Sequence, residues 1–173
     1  MKVYQKILFT KEECQNVIDY CNNNITPKPV INGVAVQYDY FKVLHNEDIK
    51  WVFDKIYNSF EEMTGIPVKD KTTQLSVNRY NVGNGFAKHI DRDSSAPQRM
   101  WNTGIVLNTD YEGGEYYYFI DGIRYEFNRE IGNFIIYDSA IPHQIAKVTN
   151  GVRLSIVKIL DLEHLVYRTN SLI

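Results

Sequence analysis

The 173-residue sequence has few cysteines, few prolines and no long apolar run, and each shortage excludes a class of protein. Two cysteines are too few for a scaffold held together by disulfides. With five prolines and ten glycines, the chain shows no flexible linker, low-complexity tract or repeat. No run approaches 18 uncharged apolar residues, which excludes a membrane-spanning helix. We therefore expect one globular domain over residues 1–173.

An excess of positive charge is also missing. Lys plus Arg total 19 against 21 for Asp plus Glu, so the net charge is -2. Such a chain is not built to hold phosphate backbones, and no nucleic-acid partner or membrane association is expected. Cys14 and Cys21 lie seven positions apart in a predicted helix, about 10 Å along its axis, so they cannot bridge each other. Buried free thiols and the lack of a secretory signal favour a cytoplasmic protein.

The first part of the sequence, residues 1–70, predicts two helices and a hairpin. Thr10 and Glu13 form a capping-box pattern before a helix near residues 11–22. Alternating apolar residues around Asn32-Gly33 predict a hairpin over residues 29–43. A second apolar stripe predicts a helix that Asn46 caps and Gly65 ends. This part is interpreted as helical support for the rest of the domain.

Residues 71–160 are typical of a β domain, with short alternating runs separated by Asn-Gly, Asp-Gly and Gly-Gly turns. The predicted strands are Thr73–Tyr80, Trp101–Asn108, Glu115–Ile120, Ile123–Phe127, Asn133–Tyr137 and Gly151–Leu160. The predicted fold class is mainly β with N-terminal helices (α+β), as a sandwich or jelly roll whose helices pack on one sheet. Oligomeric state cannot be read from these patterns.

The candidate chemistry begins with His89 and Asp91, a His-x-Asp pair in an extended segment. Side chains two apart on a strand point the same way, so both could ligate one ion. His143 follows far downstream and supplies a second imidazole. Two histidines and one carboxylate are the ligand set of a facial triad for non-haem iron(II). Asp93 offers a competing carboxylate, although its spacing from His89 makes Asp91 the better ligand.

A positive charge inside an apolar strand adds to this set. Arg153 follows His143 by ten residues, within the run Val152–Ile156. A buried guanidinium is costly unless paired, and its planar fork suits a carboxylate. No acidic residue nearby in the sequence offers itself, so the carboxylate of a ligand is a sensible partner. Ser155 shares the face of Arg153.

Alternation also predicts a wet cavity. If Tyr80 points inward, its strand turns the polar residues Asn78, Ser76 and Gln74 the same way and turns Leu75 and Val77 towards the helices. A barrel interior lined by such polar groups holds a ligand rather than a packed core.

Five features occur in order between residues 72 and 160. They are Arg79-Tyr80 ahead of Gly83 and Gly85; His89 and Asp91; Val106–Asn108 followed by Asp110–Glu115; Gly132 and Phe134–Tyr137 leading to His143; and Val148, Gly151 and Arg153. In this order they resemble the iron(II)- and 2-oxoglutarate-dependent oxygenases, and most closely the prolyl 4-hydroxylase-like branch. The resemblance covers the second half of the chain.

This resemblance implies a double-stranded β-helix, the jelly-roll catalytic core, over residues 71–160. It implies that His89, Asp91 and His143 bind Fe(II), and that Arg153, Tyr80 and Ser155 bind the 2-oxoglutarate. The implied reaction consumes O2, hydroxylates a C–H bond and releases succinate and CO2, with ascorbate as a candidate reductant. Val106 stands where some relatives carry a further tyrosine for the cosubstrate.

The substrate stays open between a prolyl or other peptide side chain, in a peptide or protein, and a small metabolite. Arg92, Arg99 and Trp101, in and after the polar loop that follows the metal motif, are candidate substrate-binding residues. One alternative is a nucleic-acid demethylase, although Ile159 occupies the position of that branch's second arginine. Another is a cupin-like module that binds a metal or a ligand without turnover.

Overall fold

A computed structural model describes residues 2–32, 36–71 and 74–166. Helix α1 spans Lys11–Asn24 and begins with the predicted capping box. The Glu13 amide donates to Thr10 Oγ1 at 3.1 Å, and the Thr10 amide donates to the Glu13 carboxylate at 2.9 Å. Two otherwise unpaired amide groups of the first turn are thereby satisfied.

Helix α2 spans Lys50–Thr64, a start later than the predicted cap at Asn46. The Asn46 side chain instead accepts the Asp48 amide at 3.0 Å, and so closes the turn ahead of the helix. Gly65 ends α2 as expected, in the left-handed conformation with φ 72°. None of the described helices is long and apolar enough to cross a membrane.

The strands of the described residues carry most of the fold. Their bounds are β1 Val3–Ile7, β2 Lys28–Asn32, β3 Val36–Val43, β4 Leu75–Tyr80, β5 Gly85–His89, β6 Arg99–Val106, β7 Glu112–Gly113, β8 Tyr116–Ile120, β9 Ile123–Glu126, β10 Asn133–Asp138, β11 His143–Ile145, β12 Val148–Asn150 and β13 Arg153–Asp161. The β2–β3 hairpin confirms the pairing predicted for residues 29–43, while Gly33 of its expected turn lies outside the described residues. The six predicted strands are all present, apart from Thr73, which also lies outside the described residues.

One antiparallel sheet doubles over on itself at β3. The order β1-β10-β6-β13-β4-β3 forms one half, and β5-β11-β8-β9 forms the other. Strand β3 joins them because its second half pairs with β4 while Val36 and Gln37 pair with β5. Tyr116 of the smaller half faces Tyr137 of the larger half, with ring centroids 6.2 Å apart. This mainly β architecture is the predicted jelly roll, a double-stranded β-helix.

The helices cover the outer face of the larger half. Phe53, Ile56 and Phe60 of α2 belong to one apolar cluster with Val77 of β4 and Ile156 of β13. Cys14 and Cys21 of α1 lie in the same cluster as buried free thiols, as predicted. Burial raises the pKa of the Cys14 thiol to about 11 and that of Cys21 to about 12. The main core therefore lies between the helices and the sheet, and a smaller apolar cluster that includes Phe127, Ile135 and Ile141 lies between the two halves, beside the space left for a site.

Candidate active site

His89 and His143 are direct cross-strand neighbours. His89 is the last residue of β5, His143 is the first of β11, and the two are paired in the antiparallel ladder. Their ring centroids lie 4.2 Å apart. The sheet register therefore brings together two histidines that are far apart in sequence.

Backbone contacts fix which nitrogen each histidine presents to the cavity. His89 Nδ1 lies 2.8 Å from the Ala87 carbonyl oxygen, and His143 Nδ1 lies 3.0 Å from that of Ile141. A carbonyl oxygen only accepts, so each Nδ1 carries the hydrogen and donates it. In this tautomer each ring offers the lone pair of Nε2, which is the arrangement usual for metal-bound histidine.

Asp91 completes the set from the turn after β5. Its carboxylate oxygens lie 3.2 Å from His143 Nε2 and 3.8 Å from His89 Nε2. The three ligand atoms all lie within 4.8 Å of one another. Two imidazole nitrogens and one carboxylate at this spacing fit a divalent iron with open positions on the opposite side.

The electrostatics of the three groups suit a cation. Burial disfavours the charge on Asp91, but its contacts with His143 and Asn102 outweigh it and lower the pKa of the carboxyl. Burial, together with the neighbouring His143, lowers the pKa of His89 and keeps its ring neutral. An ionised carboxylate beside a neutral imidazole is the protonation state that metal binding requires.

Asp93, the competing carboxylate, does not reach this cluster. It is exposed, and its Oδ1 accepts hydrogen bonds from the Ser95 amide at 2.8 Å and the Ser95 hydroxyl at 2.6 Å. These contacts close its own loop, as an aspartate commonly does at a turn.

Asp161, Glu163 and His164 form a second group with metal-ligand spacing. Glu163 is exposed, and His164 Nδ1 already accepts the Asp161 amide at 3.0 Å. This group therefore serves as the local cap of the short helix at Leu162–His164.

Arg153 lies on the other side of the same cavity. It is 4% exposed, and its Nη1 donates to Ser155 Oγ at 2.9 Å. Its Nε is buried without a hydrogen-bond partner, and no carboxylate of the described residues pairs with it. The rings of Tyr80 and Tyr116 lie 5.3 Å and 5.7 Å from its Cζ. A buried cation so placed is incomplete without an anionic ligand.

Gly114 gives the arginine its room. It has φ +64°, and a Cβ there would lie 3.1 Å from Arg153 Cδ and 3.0 Å from Val148 Cγ2. The glycine of the Gly-Gly turn therefore allows the backbone to pass against the arginine stem.

The metal cluster and Arg153 open into one cavity of about 250 Å³. Tyr80, Asn78 and Ser155 line it, as the alternation of β4 and β13 predicts. Ser76 and Gln74 lie farther out and line an adjoining groove. Leu75 and Val77 turn to the helices, also as predicted. The interior is a polar cavity at the site and an apolar core behind it.

The three substrate-binding candidates have different positions. Arg99 lines both the cavity and the groove, with Nη1 3.6 Å from Asp91 Oδ1. Arg92 is held by Asp138 at 2.5 Å, beside the site. Trp101 lies on the opposite face of the sheet, where its ring is 6.0 Å from that of Phe60. A register shift between Leu160 and Asp161, opposite Trp101 and Arg99, explains why the two residues do not share a face.

Sequence reasoning missed several residues of the cavity wall, among them Asn102, Tyr116 and Tyr137. The two tyrosine hydroxyls are hydrogen-bonded to each other, and both rings lie against His143. Burial raises the pKa of both hydroxyls, so they stay protonated. The available signal was an amide or hydroxyl side chain within an otherwise apolar strand. Such a group is buried only with hydrogen-bond partners, so it marks a polar site rather than the apolar core.

Comparison with known proteins agrees with this geometry. Two curated PKHD-type hydroxylases align with the chain. The one of Rippkaea orientalis is 28% identical, and the alignment covers 48% of this chain and 40% of that protein. The one of Colwellia psychrerythraea is 26% identical, and the alignment covers 62% of this chain and 51% of that protein. The chain thus spans about half the length of the curated relatives it matches.

Solved structures of similar fold include two prolyl hydroxylases. A Pseudomonas putida prolyl-4-hydroxylase superposes with a TM-score of 0.73 at 16% identity, covering 92% of each chain. A Trichoplax adhaerens prolyl hydroxylase in complex with a hypoxia inducible factor peptide fragment gives 0.75 at 14% identity, covering 94% of this chain and 84% of that one.

The model of the 2OG-Fe(II) oxygenase superfamily matches residues 75–161. The matched segment runs from β4 through β13, and it contains the two histidines, Asp91 and the buried arginine. The chain therefore belongs to the 2OG-Fe(II) oxygenase superfamily, with a fold of the prolyl 4-hydroxylase-like kind.

Proposed function

We propose that this protein is an Fe(II)- and 2-oxoglutarate-dependent dioxygenase that hydroxylates a C–H bond. The observation that carries the proposal is the single cavity joining the His89, Asp91 and His143 cluster to the buried guanidinium of Arg153, whose Nε has no partner. Bound iron and 2-oxoglutarate would supply the activation of O2, with release of succinate and CO2.

The chain's own residues would bind and orient these groups. His89 and His143 would present Nε2 to the iron, since each Nδ1 is committed to a backbone carbonyl. Asp91 would present its carboxylate. Arg153, with Ser155 fixing one nitrogen, would pair with the far carboxylate of 2-oxoglutarate, and the protonated Tyr80 hydroxyl would be a further donor.

The groove outside the cavity supports a peptide or protein substrate over a small free metabolite. Its volume is about 790 Å³, and it shares Tyr38, Asn78 and Arg99 with the iron cavity. It runs between the β2–β3 hairpin, through Val30 and Tyr40, and the polar face of β4. An extended chain could lie there with one side chain entering the cavity. Arg99 is the substrate-contacting residue we favour.

Two alternative functions fit the residues less well than this proposal. The demethylase alternative is disfavoured by Ile159, which lines the cavity where that branch has an arginine, and by the net charge of -2. A cupin-like module that holds only a metal or an uncharged ligand does not account for Arg153, since a buried cation without an anionic partner costs stability.

The first test is an anaerobic titration of the full chain with Fe(II) and then 2-oxoglutarate, followed by visible absorbance. Chelation of iron by the keto acid gives a weak charge-transfer band that neither component has alone. The wild type should develop the band and Asp91→Ala should not. Asp93→Asn is the matched control, since it alters a carboxylate two residues away that faces its own loop. A folded wild type without the band would overturn the proposal.

Turnover then separates the substrates. Succinate released only with a proline-containing peptide supports the peptide hydroxylase, and the product should be heavier by one oxygen atom. Formaldehyde released from a methylated oligonucleotide would instead support the demethylase. Omitting ascorbate tests whether sustained turnover needs this reductant.

A further inference from the structure

Asn102 is a buried amide beside the metal ligands, with 2% of its surface exposed. It lies on β6, in the half of the sheet opposite the strands that carry the two histidines. A buried amide needs partners for its hydrogen-bonding groups, and leaving one unpaired costs about 1–3 kcal/mol. The partners of Asn102 therefore show what it does.

The two ends of the amide have different partners. Asn102 Nδ2 donates to Asp91 Oδ2 at 2.5 Å, while the Ser139 hydroxyl donates to Asn102 Oδ1 at 3.2 Å. An ionised carboxylate can only accept, so the NH2 end must face Asp91. The serine hydroxyl holds the amide in this orientation from the other side.

Ser139 also holds the backbone of the metal motif. Its carbonyl oxygen accepts the amides of Asp91 and Arg92, both at 3.0 Å. Ser139 is fully buried just after β10, and Asn102 pairs with Tyr137 of that strand. One residue therefore fixes the backbone of Asp91 directly and its carboxylate through Asn102.

We propose that Asn102 is a positioning residue of the metal centre: by holding Asp91 Oδ2, it fixes the rotation of the carboxylate relative to His89 and His143. This inference rests on the proposed function, since it assumes the metal that function needs. Without the amide, the carboxylate is free to chelate with both oxygens, or to turn towards Arg99, whose Nη1 is 3.6 Å from Oδ1. Either change removes a coordination position or weakens binding of the ion.

The test uses metal binding by the full chain without cosubstrate, so it does not depend on turnover. Mn(II) affinity is measured by calorimetry, and Co(II) binding is followed by its visible spectrum, which reports coordination number and geometry. Asn102→Leu removes both side-chain hydrogen bonds at similar volume, and Asn102→Asp keeps the shape but replaces the donor with a negative charge. Loss of such a partner to a ligand typically weakens metal binding about 10–100-fold.

Thr103→Val is the matched control. Thr103 is the next residue of β6, is equally buried, and donates to the Lys158 carbonyl oxygen at 3.1 Å. Thr103→Val removes one buried hydrogen bond and Asn102→Leu removes two, but only Asn102→Leu should weaken Mn(II) binding and alter the Co(II) spectrum. A folded Asn102→Leu with wild-type affinity and spectrum would overturn the proposal.

If Asn102→Leu does not fold, Ser139→Ala takes its place. This substitution removes the hydroxyl that orients the Asn102 amide. It should change the Co(II) spectrum in the direction expected for Asn102→Leu, but by less. An unchanged spectrum counts against the proposal. A wild type that binds metal but never makes succinate would sink the proposed function while leaving the role of Asn102 standing. A wild type that binds no divalent metal would overturn both.

Discussion

The two faces of the larger half-sheet differ in what they bury, although the same strands make both. Along β13, Ile156 and Leu160 face the helices and are fully buried among apolar side chains. Arg153 and Ser155 of the same strand are also buried but face the cavity. The outer face stabilises the fold, and the inner face carries polar groups that stability alone would not select. Substitutions on the two faces should therefore separate stability from binding.

The largest effect is expected from truncating a large apolar side chain that packs on the outer face. Phe60 is fully buried between α2 and the sheet, so Phe60→Ala should lower the free energy of unfolding by about 3–5 kcal/mol through the cavity it leaves. Urea denaturation measures this loss. Metal affinity per folded molecule should be unchanged, and a selective loss of metal affinity would contradict the separation of the faces.

The inner face should respond in the opposite way. Arg153→Met keeps the apolar stem but removes a buried cation whose Nε has no partner, so stability should hold or rise. Binding of 2-oxoglutarate should weaken by about 2–5 kcal/mol, because its far carboxylate loses a buried charged partner. Calorimetry with Mn(II)-loaded protein measures it. Retained cosubstrate affinity would mean that Arg153 is not the anion site.

A smaller effect on both properties is expected at Gly114. Alanine would be strained at φ +64° and would press on Arg153 Cδ and Val148, at a cost of about 1–3 kcal/mol. Because the arginine stem must shift, 2-oxoglutarate affinity should fall along with thermal stability. Gly122→Ala, at φ +80° with nothing nearby, is the matched control: it should show strain without a change in affinity.

The smallest effect is the pH dependence of stability that arises from the two buried thiols behind the outer face. Burial raises the pKa of the Cys14 thiol to about 11 and that of the Cys21 thiol to about 12, from an ordinary value of 9.0. Above pH 9 the unfolded chain therefore binds fewer protons than the folded one, and stability falls as pH rises, by about 1 kcal/mol per thiol at pH 10. A Cys14→Ala/Cys21→Ala variant should lose this part of the alkaline dependence in urea denaturation. An unchanged pH slope would contradict it.

The sequence predicts the fold well where hydrophobic periodicity is strong. Both helices and six strands follow from their apolar spacing, and the jelly roll follows from the order of elements. β5 was missed because its signal is interrupted by turn residues, Gly83 to Gly85, and by the polar Lys88 and His89. β1 was missed because it is an edge strand paired only with β10, without a clear alternation.

The site was predicted as a set of residue types rather than as a geometry. His89, Asp91, His143 and Arg153 were identified by motif, and the structure brings them to one cavity. Trp101 was named because it follows the polar loop after the metal motif, whereas the structure turns it to the helix-covered face, with its ring 6.0 Å from that of Phe60. Asn102 was missed because its partners come from the ends of β5 and β10, and only the folded sheet brings these ends together.

The pairing of His143 with His89 across β5 and β11 also determines which changes of length the domain can absorb. The spacing of the two ligands is a property of the backbone ladder, so it does not depend on the length of the chain between them. An insertion in the loop after Asp91, or at the Asp121-Gly122 turn, leaves the ladder intact. One extra residue between His143 and Gln144 within β11 would send the His143 ring to the other side of the sheet. We therefore expect related chains to vary freely in the loops around this site and hardly at all in the few residues that set its register.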